Sequence, residues 1–289
     1  MFQKVYDRAV DFIWRNARLL ERRRFATHFL NEPKAGVITA LRAYQNPDGG
    51  FGNALEPDKR YPGSNPGDVM TAFYILDEID AINDPMTTLA CDYLLTITTA
   101  QGGVPFTLPQ VKQYPHAPWW GTDDTNPTAA INPTGDIAGV LLKHHVQHPW
   151  LEKAAPFCWQ QQDPTRSGYH DIMPAVEFLA YAPDRVRAEG LLKEIKATIQ
   201  REQLVSYDRK AAGYVKFPLD WAPAPTHALR NIFSEEQIEA DLLALAAGQQ
   251  EDGGWPISWE PVSAGVELEW RGIRTLEALL VLKAYGKLK

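Results

Sequence analysis

Two stretches near opposite ends of the chain are copies of one another, and this duplication constrains the fold more than any other feature. Residues 45–57 read QNPDGGFGNALEP and residues 249–261 read QQEDGGWPISWEP. At one ungapped offset of 204 (252 − 48), Gln45 meets Gln249, Asp48 meets Asp252, and Gly49-Gly50 meet Gly253-Gly254. Phe51 then meets Trp255, and Glu56-Pro57 meet Glu260-Pro261. Such a repeat implies one supersecondary unit used more than once. Each copy lies between two amphipathic helical runs, and its residue types describe a junction. Paired glycines permit positive φ, which ends a helix and turns the chain. The Asp before them is a turn or capping residue. The Gln amide can bond the open carbonyls of the helix just ended and the open N–H groups of the next. The motif therefore reads as a clasp between antiparallel helices, with Gly50 and Gly254 expected where a β-carbon would strain the turn.

Between the copies the apolar spacing is helical throughout. Helices are expected over residues 3–20, 35–44, 67–80, 86–99, 136–145, 150–162, 171–181, 185–203, 225–233, 235–249 and 272–285, with Ser234 capping the tenth. No convincing strand pattern is present. Further GG or Gly-aromatic turns, each decayed, fall at Gly102-Gly103 with Phe106, at Gly168-Tyr169 and at Gly213-Tyr214. A long loop, residues 105–133, separates two of the helices. An open solenoid needs polar capping helices at its ends, whereas the last helix here is apolar nearly all round. Closure covers it, so residues 1–289 are expected to form one all-α domain, an (α/α)6-type toroid of antiparallel helix pairs.

Composition excludes several functions. The net charge is −7 and the one basic run is Arg22-Arg23-Arg24, which argues against nucleic acid as a partner. No apolar run reaches membrane-span length and the opening MFQKVYDR is too polar for a signal peptide, so a cytoplasmic protein is expected. Cys91 and Cys158 are the only cysteines; they lack CxxC spacing and fit a reducing compartment without a cysteine-rich zinc site. No metal and no cofactor are expected.

The QxxDGG[FW] motif, carried by Gln45, Asp48, Gly49, Gly50 and Phe51 and again by Gln249, Asp252, Gly253, Gly254 and Trp255, resembles the QW repeats of the terpenoid cyclase and protein prenyltransferase superfamily. The resemblance implies a toroid whose central cavity holds an isoprenoid. The family's catalytic motifs match poorly. Gly121-Thr122-Asp123-Asp124-Thr125-Asn126 keeps the Asp-Asp-Thr of the DxDDTA proton donor, with Gly121 for the first Asp, and would give Asp123 the acid role; the same residues also read as Asx turns. The DDxxD metal motif, the zinc ligands of prenyltransferases and a thioester CGEQ are absent.

Two further constellations come from the residues themselves. Asp68, Asp136 and Asp171 each precede an expected helix, where N-capping explains the residue type and a common placement would make an acidic rim. Aromatic residues with polar neighbours recur in Pro-rich stretches: His116, Trp119 and Trp120; Trp221; Trp259; and Glu269-Trp270. Individually such Trp side chains pack in cores; together they line a pocket. His170 and His227 are candidate proton carriers, and His144, His145 and His148 read as helix-end residues. The expected catalytic set is Asp123, Asp124, His170, Asp171 and Glu269; the expected substrate contacts are His116, Trp119, Trp120, Tyr169, Trp221, Trp259 and Trp270. The leading expectation is a prenyltransferase- or terpene-cyclase-like protein that binds, and in catalytic form processes, a small apolar or amphiphilic isoprenoid-like substrate. The alternatives are a carbohydrate-active toroid lyase or hydrolase, favoured by two facing carboxylates in a polar groove, and a noncatalytic partner-binding toroid. Oligomeric state is not legible.

Overall fold

The computed structural model describes residues 1–211 and 213–288. Among these the chain is all-α, with isolated β-bridges but no strand. The helices are α1 (Phe2–Asn16), α2 (Leu19–Phe29), α3 (Ala35–Arg42), α4 (Pro66–Glu78), α5 (Pro85–Ile97), α6 (Ile131–Lys143), α7 (Pro149–Gln160), α8 (Tyr169–Tyr181), α9 (Arg185–Arg201), α10 (Pro218–Trp221), α11 (Glu235–Ala247) and α12 (Ala264–Ala284). Pro opens α4, α5, α7 and α10, where its fixed φ suits the first turn and its missing N–H costs nothing. Asn65, Asp84 and His148 cap three of these by accepting an N–H two residues on. Ser234 and Gln237 form the reciprocal capping box of α11.

Three sequence expectations are corrected. The first helix stops at Asn16, and a separate helix, α2, follows after extended Ala17 and Arg18. Its Arg run hid it: Arg24 is buried and lies 3.8 Å from the buried Glu21, which also takes two bonds from Arg18 at 2.8–2.9 Å. Residues 225–233 hold a short 3-10 turn, Arg230–Ile232, instead of a helix. The last helix begins at Ala264, with Ser263 accepting from the Val266 N–H, so Glu269 and Trp270 are helical rather than in a loop.

The chain packs as two compact units, residues 1–37 with 196–289 and residues 38–195. In the first, α1 buries Val5, Ala9, Phe12 and Ile13 and packs chiefly on α12. In the second, α6 is the hub, in contact with α4, α7 and α8.

The clasps hold one geometry in both units. In the second unit, the Gln45 amide donates to the Gly49 carbonyl (2.8 Å) and to the Met86 carbonyl in α5 (3.0 Å). In the first unit, Gln249 donates to Gly253 (2.9 Å) and to Val5 in α1 (2.8 Å). The Gln therefore grips a third helix, not the helix just ended. Asp48 and Asp252 accept the N–H of Gly50 and Gly254 at 3.0 and 3.1 Å. The left-handed residue is the first glycine, φ +88° at Gly49 and +95° at Gly253, and a β-carbon there would lie 2.3 and 2.2 Å from the Leu89 and Arg8 carbonyl oxygens. The expectation for Gly50 and Gly254 is thus corrected in its cause: packing, against Tyr93 and Phe12, excludes their β-carbons. The decayed clasp is also in a different register. Thr99 N–H bonds Gly103 as Asn46 N–H bonds Gly50, and Gly102 (φ +97°) lies 2.6 Å by its would-be β-carbon from the Lys153 carbonyl. Thr98 stands at the Gln position and Val104, not Phe106, at the aromatic one.

Candidate active site

Three helices of the second unit lie side by side and position the most unusual polar cluster among the described residues. On α6, Gly135 and Gly139 are one turn apart. A β-carbon at Gly135 would stand 2.4 Å from the Pro174 carbonyl oxygen, and one at Gly139 would stand 2.6 Å from that of Glu177, both on α8. On α6's other flank, Tyr74 of α4 donates its hydroxyl to the Asp136 carboxylate. Contacts advance along both chains in the same sense, so α4, α6 and α8 run parallel.

Asp136 is 4% exposed. Burial pushes its carboxyl up to about 8; the Tyr74 hydrogen bond opposes that rise, and the neighbouring Glu177 charge adds to it. Glu177 is itself pushed up to about 7, mainly by desolvation, against the lowering effect of Lys143. Tyr74 keeps 38% of its surface exposed, yet desolvation by surrounding protein dominates the rise of its hydroxyl. Solvent therefore reaches one edge of this cluster at Tyr74. Near the C-terminal ends of α4 and α6, Asp77 accepts from Lys143 (2.8 Å) and bonds His144 Nε2 (2.6 Å). Lys143 also lies 5.7 Å from the Tyr181 ring centre. The arrangement offers one proton donor that is neutral at pH 7, one carboxyl poised near that pH, and tyrosine rings as walls.

A second cluster in the same unit has a different character. Lys59 is fully buried, 3.1 Å from Asp68 Oδ2 and 3.4 Å from Glu56 Oε2, with its ammonium 3.8 Å from the centre of the Trp120 ring. Trp120 stacks on Phe106 at 4.6 Å and 6°. Asp68 Oδ1 accepts the Glu56 N–H at 2.9 Å. Desolvation pushes Glu56 up to about 7 despite Lys59. This cluster ties the start of the 105–133 loop and the first clasp to α4.

The expected site residues fall in several places. Asp123 is exposed beside Lys112, and Asp124 accepts the Asn126 N–H in an Asx turn. Trp119 is exposed, Trp120 is buried in the Lys59 cluster, and His116 Nδ1 lies 2.6 Å from the Tyr114 carbonyl. Tyr169 and the exposed His170 meet edge to face at 5.2 Å at the start of α8, with Asp171 exposed in its first turn. In the other unit, Trp221 is buried in α10, and Trp259 meets Trp270 edge to face at 5.1 Å, beside half-buried Glu269 on α12. Burial and Lys196 push His227 down to about 4, so it is neutral at pH 7. The capping expectation is corrected for all three aspartates: Asn65, not Asp68, caps α4, Asp136 sits inside α6 past a non-helical Asn132, and Asp171 lies in the first turn of α8, whose N-cap is Gly168. Tyr74 and Glu177 were not singled out by sequence. The available signal was the Gly135-x-x-x-Gly139 spacing around Asp136, which announces a helix crossing too close for side chains.

No protein family profile and no curated protein matches the sequence. A crystal structure of a protein from Actinoplanes is similar to this chain with a TM-score of 0.60 and 16% identity, over 99% of this chain and 100% of that one. That likeness describes a shared fold.

Proposed function

We propose that the Tyr74–Asp136–Glu177 cluster between α4, α6 and α8 is a general acid–base site acting on a hydroxylated, carbohydrate-like substrate, within the α/α toroid expected from the sequence. The observation that carries this reading is the Asp136 carboxyl, bonded by Tyr74 and coupled to Glu177. Asp136 donates a proton to a departing oxygen. Glu177, near its midpoint at pH 7, accepts one from water or from the substrate carbon. Paired carboxyls with raised pKa values suit glycosidic oxygen chemistry. A carboxyl near 8 is a weak acid, poorly matched to protonating an alkene, which argues against the cyclisation form of the isoprenoid expectation. The two QxxDGG clasps favour a second reading, in which the same region binds an isoprenoid without protonating it.

The test is thermal shift and turnover against panels of oligosaccharides and prenyl diphosphates, with wild type, Asp136→Asn and Glu177→Gln. Turnover of an oligosaccharide by wild type alone supports the proposal. Stabilisation by prenyl diphosphates alone transfers support to the second reading. Equal turnover by all three proteins removes the site.

A further inference from the structure

We propose that Gly139 is a positioning residue of this cluster: lacking a β-carbon, it lets α8 lie directly against α6 at Glu177 and so sets the separation of the Glu177 and Asp136 carboxyls. The inference rests on the acid–base reading of the site. Glycine in a helix interior costs about 1 kcal/mol relative to alanine, so two glycines one turn apart in α6 call for a packing reason. The reason is on the α8 side. A β-carbon on Gly139 would meet the Glu177 carbonyl oxygen at 2.6 Å, its carbonyl carbon at 2.7 Å and its Cγ at 3.0 Å. Two of these atoms are backbone, so the obstacle cannot rotate away. Gly135 makes the equivalent contact one turn earlier, against the Pro174 carbonyl at 2.4 Å. One turn later the pairing continues with Lys143, whose ammonium lies 5.7 Å from the Tyr181 ring centre. The register holds to within one residue, 39 at the first contact (174 − 135) and 38 at the next two (177 − 139, 181 − 143). Asp136 stands three residues before Gly139, the spacing that makes helix neighbours. Whatever sets the gap at Gly139 therefore sets how closely the second carboxyl approaches the first. Glu177 raises Asp136, as a close like charge does.

The experiment reads the titration of the Asp136 side-chain carboxyl directly, by carbon-13 NMR, in wild type, Gly139→Ala, Gly135→Ala, Glu177→Gln and Glu177→Asp. Gly139→Ala is expected to move α8 outward and lower the Asp136 midpoint by about one pH unit, an ordinary like-charge effect. Gly135→Ala inserts the same methyl beside Pro174 and is expected to destabilise the protein similarly while leaving the midpoint in place. Glu177→Gln, which removes the charge, and Glu177→Asp, which draws it back by one methylene, leave the glycine untouched and are expected to lower it too. They decide the matter if Gly139→Ala does not fold. An unmoved midpoint in folded Gly139→Ala, or in either Glu177 variant, overturns the proposal, as does an equal shift in Gly135→Ala. The readout needs no turnover, so a protein that acts on no oligosaccharide would sink the proposed activity without touching this result.

Discussion

Asp68 on α4 and Asp136 on α6 are buried to similar depth, 1% and 4% exposed, yet one faces an ammonium and the other a phenol. Around Asp68 the chain supplies its own cation. Lys59 lies between Asp68 and Glu56 and under the Trp120 ring, so the charges are spent on one another and the cluster acts as a fastening. Around Asp136 the closest partner is the Tyr74 hydroxyl, and the next carboxyl, Glu177, is repulsive. With no ammonium in contact among the described residues, burial is answered by holding a proton. The difference teaches that burial of a carboxylate does not by itself indicate chemistry. What decides is whether the fold also buries the counter-ion.

The largest expected effect tests the fastened cluster. Lys59→Met leaves Glu56 and Asp68 buried without their cation and is expected to cost about 3–5 kcal/mol, the range for breaking a buried ion pair from one side. Urea unfolding measures it, and adding Glu56→Gln should recover part of the loss. A cost under about 0.5 kcal/mol, typical of a surface change, would erase the distinction drawn above.

Next in size is the pH dependence of the other cluster. A carboxyl that titrates near 8 in the folded chain and near 4 in the unfolded one binds its proton preferentially in the fold between those values. Its contribution to stability is complete below about pH 4 and is lost as pH rises toward 8. Asp136→Asn should therefore flatten the decline in Tm from pH 5 to pH 8.5 and leave the variant more stable than wild type at the upper end. A parallel decline in both proteins would show that Asp136 is ionised in the fold throughout.

Much of the fold was legible because the clasp repeats chemistry, not only pattern: Gln, Asp and two glycines perform the same bonds at both ends of the chain. Helix α11 is legible for a similar reason, through its Ser234 cap, whereas α4, α5 and α7 are legible from apolar spacing. Helix α2 was not, because its Arg24 and Glu21 are buried as a pair and a charge run otherwise reads as a solvated face. The first turns of α12 were missed because Glu267, Glu269 and Trp270 interrupt an apolar run that becomes dense only from Gly272. The candidate site was legible in part. Asp136 was noticed as a cap, but its partners lie 62 and 41 residues away (136 − 74, 177 − 136), and nothing in a single sequence fixes the register of α6 against its neighbours.

A smaller effect sharpens the role of the phenol. Tyr74→Phe removes a hydrogen bond that favours the charged form of Asp136, so its titration should move upward, opposite in sign to Glu177→Gln, with a stability change of about 1 kcal/mol. A downward move would mean that the tyrosine stabilises the protonated acid. The smallest expected effect is at Asp123, 88% exposed beside Lys112. Asp123→Asn should change unfolding free energy by less than about 0.5 kcal/mol and leave ligand-induced thermal shifts as in wild type, and loss of those shifts would return the 105–133 loop to the centre of the function.

The grip of Gln249 on the Val5 carbonyl spans 244 residues of chain, and it has a consequence during synthesis. Helix α1 leaves the ribosome early with Val5, Ala9, Phe12 and Ile13 on one apolar face, while the clasp and α12 that cover it are still untranslated. At about 5–20 residues per second, that face waits roughly ten to fifty seconds for its cover. A chaperone that shields one short amphipathic helix would cover that interval, and slow codons placed just before residue 249 would lengthen the exposure.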